Sequence, residues 1–385
     1  MDTTTPQPPS TTETTSAAPV SSSSKEPASP PAPLSLYGIA RLHCREEILI
    51  SPLRWTGRHL ELLQCSFGKP LPEPVTVAAT SVTEADYTEE ITGTPYLKEF
   101  FNFYYKALFR EQGMRLLLTN DACPLFALNA LVLNMNRSAV KMLPCVSFYR
   151  LNPDPASLEP RRPIAALVDR GQIEWMRKET LGGNRKRQCN SPILRLFHKK
   201  WKKVNPTDPL HDPYIVALLI SLAQEKRRYL QEVGSDEEAR TGMIPSQALC
   251  TFNSRGKCKE KAEEAFLGWM YLYKADIPSS LLDMFDHPSV PPTSSPSISI
   301  QVTTIYYSPL ATLRARILEL IMPGSVAEAA AARAARAAAK AAAKAEQEEA
   351  AEAAAAPSQS AGRKRKFDDE GIQQPSSRGA PPPPR

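Results

Sequence analysis

The sequence predicts an α+β protein with a single mixed globular domain over residues 35–322 and a disordered tail at each end. Its hydrophobic content, 42%, is that of an ordinary folded domain. Segments of helical and strand pattern intermix without the regular alternation of a doubly wound sheet, which favours the α+β class. Many of the 37 prolines gather near the two ends, where few apolar side chains accompany them.

The terminal segments have compositions that do not build a packed core. Residues 1–34 are mainly Thr, Ser and Pro, so we expect them to be disordered, because they bury too little surface to offset chain entropy. Residues 325–356 are dominated by alanine, the best helix former, and predict a solvated helical spacer. Residues 357–385 are polar and proline-rich, and we predict a second disordered segment there.

A run of four cations lies in that last segment: Arg363, Lys364, Arg365 and Lys366. Short basic clusters in extended polar segments are typical of nuclear import signals. The run therefore predicts a nuclear protein with an import receptor among its partners. The alternative is an incidental charge run in a cytoplasmic protein.

In the first half of the domain, proline positions and apolar spacing predict both helices and strands. The predicted elements are a helix that opens at Thr94-Pro95, a strand over 115–119, an apolar helix over 122–136, a strand over 145–151, and a hairpin with strands at 164–168 and 173–176.

In the second half, Asp212 followed by Pro213 predicts a helix start, because aspartate caps the first turn and proline suits the first helical position. The residues that follow, 214–220, are apolar on every side, which predicts a helix at the centre of the core. The other predicted elements are paired strands at 249–252 and 267–273, a short helix at 281–285, a strand at 298–307 and a closing helix at 313–322.

Two segments carry a resemblance to known sequences. Asp212–Leu219 and Leu272–Phe285 together resemble a group of filamentous-fungal proteins, over about residues 190–322 of this chain. The group has no established activity. The resemblance therefore implies an origin for the chain and assigns no catalytic residue.

Residues 170–203 form the most basic stretch of the domain, with eleven Lys and Arg residues against two Glu. Its candidate contact residues are Arg185, Lys186, Arg187, Lys199, Lys200, Lys202 and Lys203. With Phe197 and Trp201, these cations suit the neutralisation of phosphates and the stacking of bases. However, Ile193, Phe197, Trp201 and Val204 recur at helical spacing, which predicts a buried face and places Trp201 in the core. Nucleic acid, an acidic protein or import receptor, and a merely solvated helix face remain as interpretations.

Catalytic and metal sites have no recognisable signature. The seven cysteines are scattered without a CxxC pair, so most are expected to be small buried apolar groups. No glycine-rich phosphate loop occurs, and the longest apolar run, 214–223, is too short to span a bilayer. Asp276, Asp283, Asp286 and His287 form an acidic cluster. We interpret Asp276 as a turn residue and expect a loop after the helix at 281–285, because Pro288 follows His287. We therefore predict no catalytic residue, metal, cofactor or membrane partner.

Together these observations favour a non-enzymatic nuclear protein whose domain makes protein–protein contacts. One alternative is a nucleic-acid-binding protein that uses residues 185–203. The second is an enzyme of a class without a short sequence motif.

Overall fold

A mixed sheet of eight strands runs through the part of the chain that the computed structural model describes. The described residues are 33–47, 49–74, 107–119, 123–136, 138–151, 161–182, 191–252 and 268–324. The strands are β1 (Cys65–Phe67), β2 (Leu71–Pro72), β3 (Leu125–Met135), β4 (Ser138–Arg150), β5 (Pro163–Asp169), β6 (Met243–Thr251), β7 (Trp269–Pro278) and β8 (Ile298–Tyr306).

The sheet has the order β1-β8-β7-β6-β5-β4-β3, and β2 pairs with β8 outside this order. The strand pairs β5–β6, β1–β8 and β2–β8 are parallel. The other pairs are antiparallel. This mixed sheet with helices on both faces confirms the predicted α+β class and the single globular domain.

Helices cover both faces of the sheet. Within the described residues they are α1 (Leu36–Leu42), α2 (Gly57–Leu62), α3 (Ala107–Leu118), α4 (Arg170–Thr180), α5 (Ser191–Val204), α6 (Pro213–Glu232), α7 (Asp236–Thr241), α8 (Ser279–Asp286) and α9 (Leu310–Ile321). Two short 3-10 turns, Cys44–Glu46 and Pro52–Arg54, lie near the start of the domain.

The strands send alternate side chains into two separate hydrophobic clusters, as the pleat of a sheet requires. In β7, Tyr273 and Ile277 join the cluster of α6, whereas Met270 and Leu272 join the cluster of α3 and α9. Strand β5 is buried at every residue, because it lies in the middle of the sheet and is covered on both faces.

Helix α6 forms where the sequence predicts it. The Asp212 carboxylate accepts a hydrogen bond from the Tyr214 N–H at 2.9 Å, and Pro213 occupies the first turn. Residues 213–224 are all buried, so this helix is the centre of its cluster.

Three predictions in the first half of the domain are wrong. Residues 115–118 end α3 and do not form a strand, because Met114, Leu117 and Leu118 are buried at helical spacing. Residues 125–135 form β3 and not a helix, since they pair with β4 along their length. Residues 173–176 belong to α4, which begins where the Asp169 side chain accepts the Gly171 N–H.

The remaining predicted elements have three outcomes. The strands at 164–168 and 298–307 and the helices at 281–285 and 313–322 are confirmed within a few residues. The strands at 145–151, 249–252 and 267–273 exist but are longer than predicted: β4 and β6 begin seven and six residues earlier, and β7 ends five residues later. The helix start at Thr94-Pro95, the spacer at 325–356, the final segment and residues 1–32 lie outside the described residues. The described helices include none with the length and apolarity needed to cross a bilayer.

Candidate binding surface

Helix α5 carries four of the seven candidate contact residues, and the helix that its apolar spacing predicts is confirmed. Lys199, Lys200, Lys202 and Lys203 are all exposed on it. The helix contains no acidic residue, so its polar side is uniformly cationic. Arg185, Lys186 and Arg187 lie outside the described residues.

The apolar side of α5 is less buried than its spacing predicts. Only Val204 is buried, while Phe197 and Trp201 are half-buried, so the prediction that Trp201 lies in the core is wrong. The helix packs mainly against α4, where the Lys178 ammonium lies 5.1 Å from the centre of the Trp201 ring. A single neighbouring helix shields less of α5 than a sheet would, which explains the partial burial.

The first turns of α5 therefore leave aliphatic side chains in solvent. Ile193, Leu194 and Leu196 are 51%, 40% and 53% exposed, and Trp175 on α4 is 53% exposed. Exposed apolar groups of this size on two contacting helices are typical of interaction sites. We call Trp175, Ile193, Leu194 and Leu196 with Lys199, Lys200 and Lys202 the α4–α5 surface.

A buried ion pair fixes the start of α4, the helix that supports this surface. Arg110 Nε and Nη2 donate to the two Asp169 carboxylate oxygens at 2.7 and 2.9 Å. The same oxygens also accept the Thr251 hydroxyl at 2.6 Å and the Gly171 N–H at 2.8 Å. Each oxygen accepts two hydrogen bonds, so Asp169 joins α3, α4 and β6 at one buried point.

A second buried ion pair fixes the end of α4. Arg177 donates to both Asp212 oxygens, at 2.8 and 2.5 Å, and to the Leu53 carbonyl at 3.3 Å. Asp212 also caps α6 through Tyr214. The pair therefore joins α4 to the central helix, and both ends of α4 are held by buried charge pairs.

The buried groups between these ion pairs are held neutral. Burial raises the pKa of the Cys250 thiol well above its ordinary value, and the charges of Asp169 and Asp212 raise it further. The Tyr273 hydroxyl has a raised pKa, mainly because of burial. Cys123, Cys145 and Cys250 are all buried, which confirms for these three the small apolar role expected from the sequence.

The acidic cluster at the end of α8 also has a structural role. Arg227 of α6 donates to Asp283 at 2.8 Å and also to Asp286. The two carboxylates therefore join α8 to α6. Asp283 lies in the predicted helix and His287 follows the last residue of α8, as expected, whereas Asp276 lies in β7 and not in a turn. Within the described ranges, no group of three or more His, Cys, Asp or Glu side chains is arranged to hold a metal ion.

The lysines of this surface are evident in the sequence, whereas the residues that position it were not predicted. Arg110 and Asp169 are separated by 59 residues and Arg177 and Asp212 by 35, so no local pattern connects them. Trp175 was also missed, since its exposure depends on how α4 packs.

This chain matches no protein-family model, and comparisons with curated proteins and with solved structures return no similar protein.

Proposed function

We propose that the domain is a non-enzymatic protein-binding module whose α4–α5 surface takes an acidic, amphipathic helix of a partner protein. The observation that carries the proposal is the exposure of Ile193, Leu194 and Leu196 beside an uninterrupted set of cations. Burying these side chains against a partner would contribute through the hydrophobic effect, at roughly 25 cal/mol per Å² of apolar area.

The partner's chemistry follows from complementarity. Apolar side chains at helical spacing would cover the aliphatic part of the surface, as in helix-in-groove recognition. Glutamate or aspartate along the flanks would face Lys199, Lys200 and Lys202, which favours the correct orientation and speeds association.

Nucleic acid is the second candidate, because four exposed lysines on one helix suit phosphate binding. The surface is less suited to the stacking of nucleic-acid bases on aromatic side chains. The Trp201 ring is half-buried with Lys178 over it, and Phe197 is half-buried, which leaves Trp175 as the exposed ring of the surface. Exposed aliphatic side chains give bases no stacking partner.

A binding experiment separates the two candidates. The probes are a labelled helical peptide of Glu with Leu at i, i+3, i+4 and i+7, and an oligothymidylate of about 20 nucleotides. We expect the peptide to bind, and L194S/L196S to weaken it about tenfold, or ~1.4 kcal/mol, since each change removes buried apolar area. The control L71S alters a leucine that is 65% exposed on β2, a strand that pairs with β8 and belongs to neither helix of the surface.

Neutralising the lysines gives the complementary result. K199Q/K200Q/K202Q should weaken the peptide and flatten its salt dependence. Tight oligothymidylate binding with a steep salt slope, lost in the lysine variant and kept in L194S/L196S, would favour the nucleic-acid function instead.

We also propose that the protein is nuclear and that Arg363, Lys364, Arg365 and Lys366 bind an import receptor. The support is the sequence of the run, which lies outside the described residues. A fluorescently tagged chain should be nuclear, and the same chain with all four residues changed to alanine should be cytoplasmic. A cytoplasmic wild type would contradict nuclear import. If both chains are nuclear, the basic stretch at 185–203 becomes the signal to test.

A further inference from the structure

A groove that the proposed function does not use runs beside β3. This strand ends the sheet order within the described residues, and no other described strand pairs with its outer side. Over eleven residues, Leu125–Met135, it contains no charged residue and no proline. Edge strands that are protected from pairing usually carry lysine, proline, a bulge or a covering element. The register of β3 against β4 shifts at Leu128/Ala130 and at Leu133/Asn134, so the regular stretches 125–128 and 130–133 are the ones that suit pairing with a partner.

The groove lies between β3 and the C-terminal half of α6. A cavity of about 230 Å³ lies near Phe126 and Leu128 of the strand and Tyr229 of the helix. A second cavity, of about 420 Å³, lies near Asn134 of the strand and Gln231 of the helix. Arg228 lines both cavities, so they form one groove with the strand on one side and the helix on the other.

At one end of the groove, the Gln224 side chain makes the hydrogen bonds that a neighbouring strand would make. Gln224 accepts the Asn134 N–H through Oε1 at 2.9 Å and donates from Nε2 to the Asn134 carbonyl at 2.9 Å. These are the two hydrogen bonds that a residue of an antiparallel partner makes. The backbone N–H and carbonyl of Asn134 therefore face the groove. At this end of β3, Gln224 already occupies the two groups that a neighbouring strand would bind.

The other end of the groove is a pocket that combines aromatic and aliphatic side chains with charged side chains of both signs. The Phe126 and Tyr149 rings stack with their centres 5.3 Å apart, and the Arg161 guanidinium lies 4.4 Å from the centre of the Phe126 ring. Tyr149 is buried and Leu128 is 46% exposed. The lining also contains Arg161, Glu225, Arg228 and Glu232, two residues of each sign, and Arg228 pairs with Glu225 at 2.9 Å. The pocket therefore favours neither an anionic nor a cationic ligand.

We propose that an extended segment of a partner protein adds to the sheet beside β3, with an uncharged, strand-forming sequence and a large apolar side chain in the Phe126–Tyr149–Tyr229 pocket. Main-chain hydrogen bonds to β3 would supply affinity, and the pocket would supply specificity. A second copy of the chain suits the groove less well, because it would bring its own α6 to the same side. The proposal concerns a different surface from α4–α5 and does not depend on it.

The test is a selection of displayed random peptides, about twelve residues long, on the full-length protein. Enriched peptides should be uncharged and rich in β-branched and aromatic residues. A synthetic copy should bind the wild type and lose at least about tenfold in affinity with L128K and with Y229A. L71K, which places the same charge near the opposite sheet edge, should bind as the wild type does. Circular dichroism should show that all three variants are folded.

Backbone pairing is tested with two N-methylated versions of that peptide, methylated at alternate residues. In a strand, alternate N–H groups point to the same side, so one version should lose binding and the other should keep it. Equal binding of both versions, unchanged binding in L128K and Y229A, or failure to enrich any peptide would overturn the proposal. If light scattering shows a wild-type dimer that L128K makes monomeric, β3 pairs with a second copy and the partner segment is wrong.

Discussion

Replacing Asp169 with asparagine is expected to lower the free energy of unfolding by about 3–5 kcal/mol, measured by urea denaturation. Asparagine keeps the size of the side chain, so no cavity forms. It removes the negative charge that faces the Arg110 guanidinium, and both side chains are buried. A guanidinium taken out of water without that charge is costly, because its desolvation is no longer compensated.

The matched control replaces the pair as a whole. R110M/D169N removes both charges and keeps an oxygen at position 169 for the Thr251 hydroxyl and the Gly171 N–H. We expect it to lose less stability than D169N alone, because no buried charge remains uncompensated. The single variant R110M completes a double-mutant cycle, which should give a coupling energy above about 1 kcal/mol. A loss below ~1 kcal/mol for D169N would contradict the role of this pair in fixing α4.

Replacing Asp212 with alanine is expected to have an effect of similar size, about 3–5 kcal/mol from the buried charge of Arg177. Loss of the cap on α6 should add ~1 kcal/mol, since the Tyr214 N–H loses its acceptor. The helix that it caps is the centre of the hydrophobic cluster on its face of the sheet, so the whole domain should unfold at lower urea concentration.

Asp212→Asn separates these two contributions. The asparagine oxygen still caps the helix, as asparagine does well at this position, but the negative charge opposite Arg177 is absent. Asp212→Asn should therefore be about 1 kcal/mol more stable than Asp212→Ala and far less stable than the wild type. Equal stability of Asp212→Asn and the wild type would show that the cap, and not the charge pair, is what Asp212 contributes.

The elements that the sequence predicts correctly are those with a local cause. Asp212 and Pro213 specify a helix start without help from the rest of the chain, and the apolar residues after them specify its burial. The alternating strand β8 is likewise determined by its own pattern, because one of its faces is buried and the other is more open.

The wrong predictions arise where distant neighbours decide the structure. Residues 125–135 have the apolar content of a buried helix, yet pairing with β4 makes them a strand. Residues 173–176 have the short apolar pattern of a strand, yet the Asp169 cap and the Arg177–Asp212 pair place them in α4. Short apolar runs do not determine their own class.

The candidate site was predictable only in part for the same reason. Charge density identified the lysines of α5, since charge is a property of the sequence. Exposure is a property of packing, so the burial predicted for Ile193 and Trp201 was wrong. The groove beside β3 was not predictable from a sequence that indicated a helix there.

The Gln224 amide at Asn134 has a consequence for how a strand beside β3 can slide. An uncharged edge of this length permits several registers, and such edges can also stack chain upon chain into fibrils. The Gln224 side chain already bonds the N–H and the carbonyl of Asn134, so these two groups of β3 cannot pair with an added strand. An added strand that reaches Gln224 can advance no further, so a single alignment is favoured over its shifted neighbours. Gln224 would thereby restrict the registers in which another strand can pair with β3.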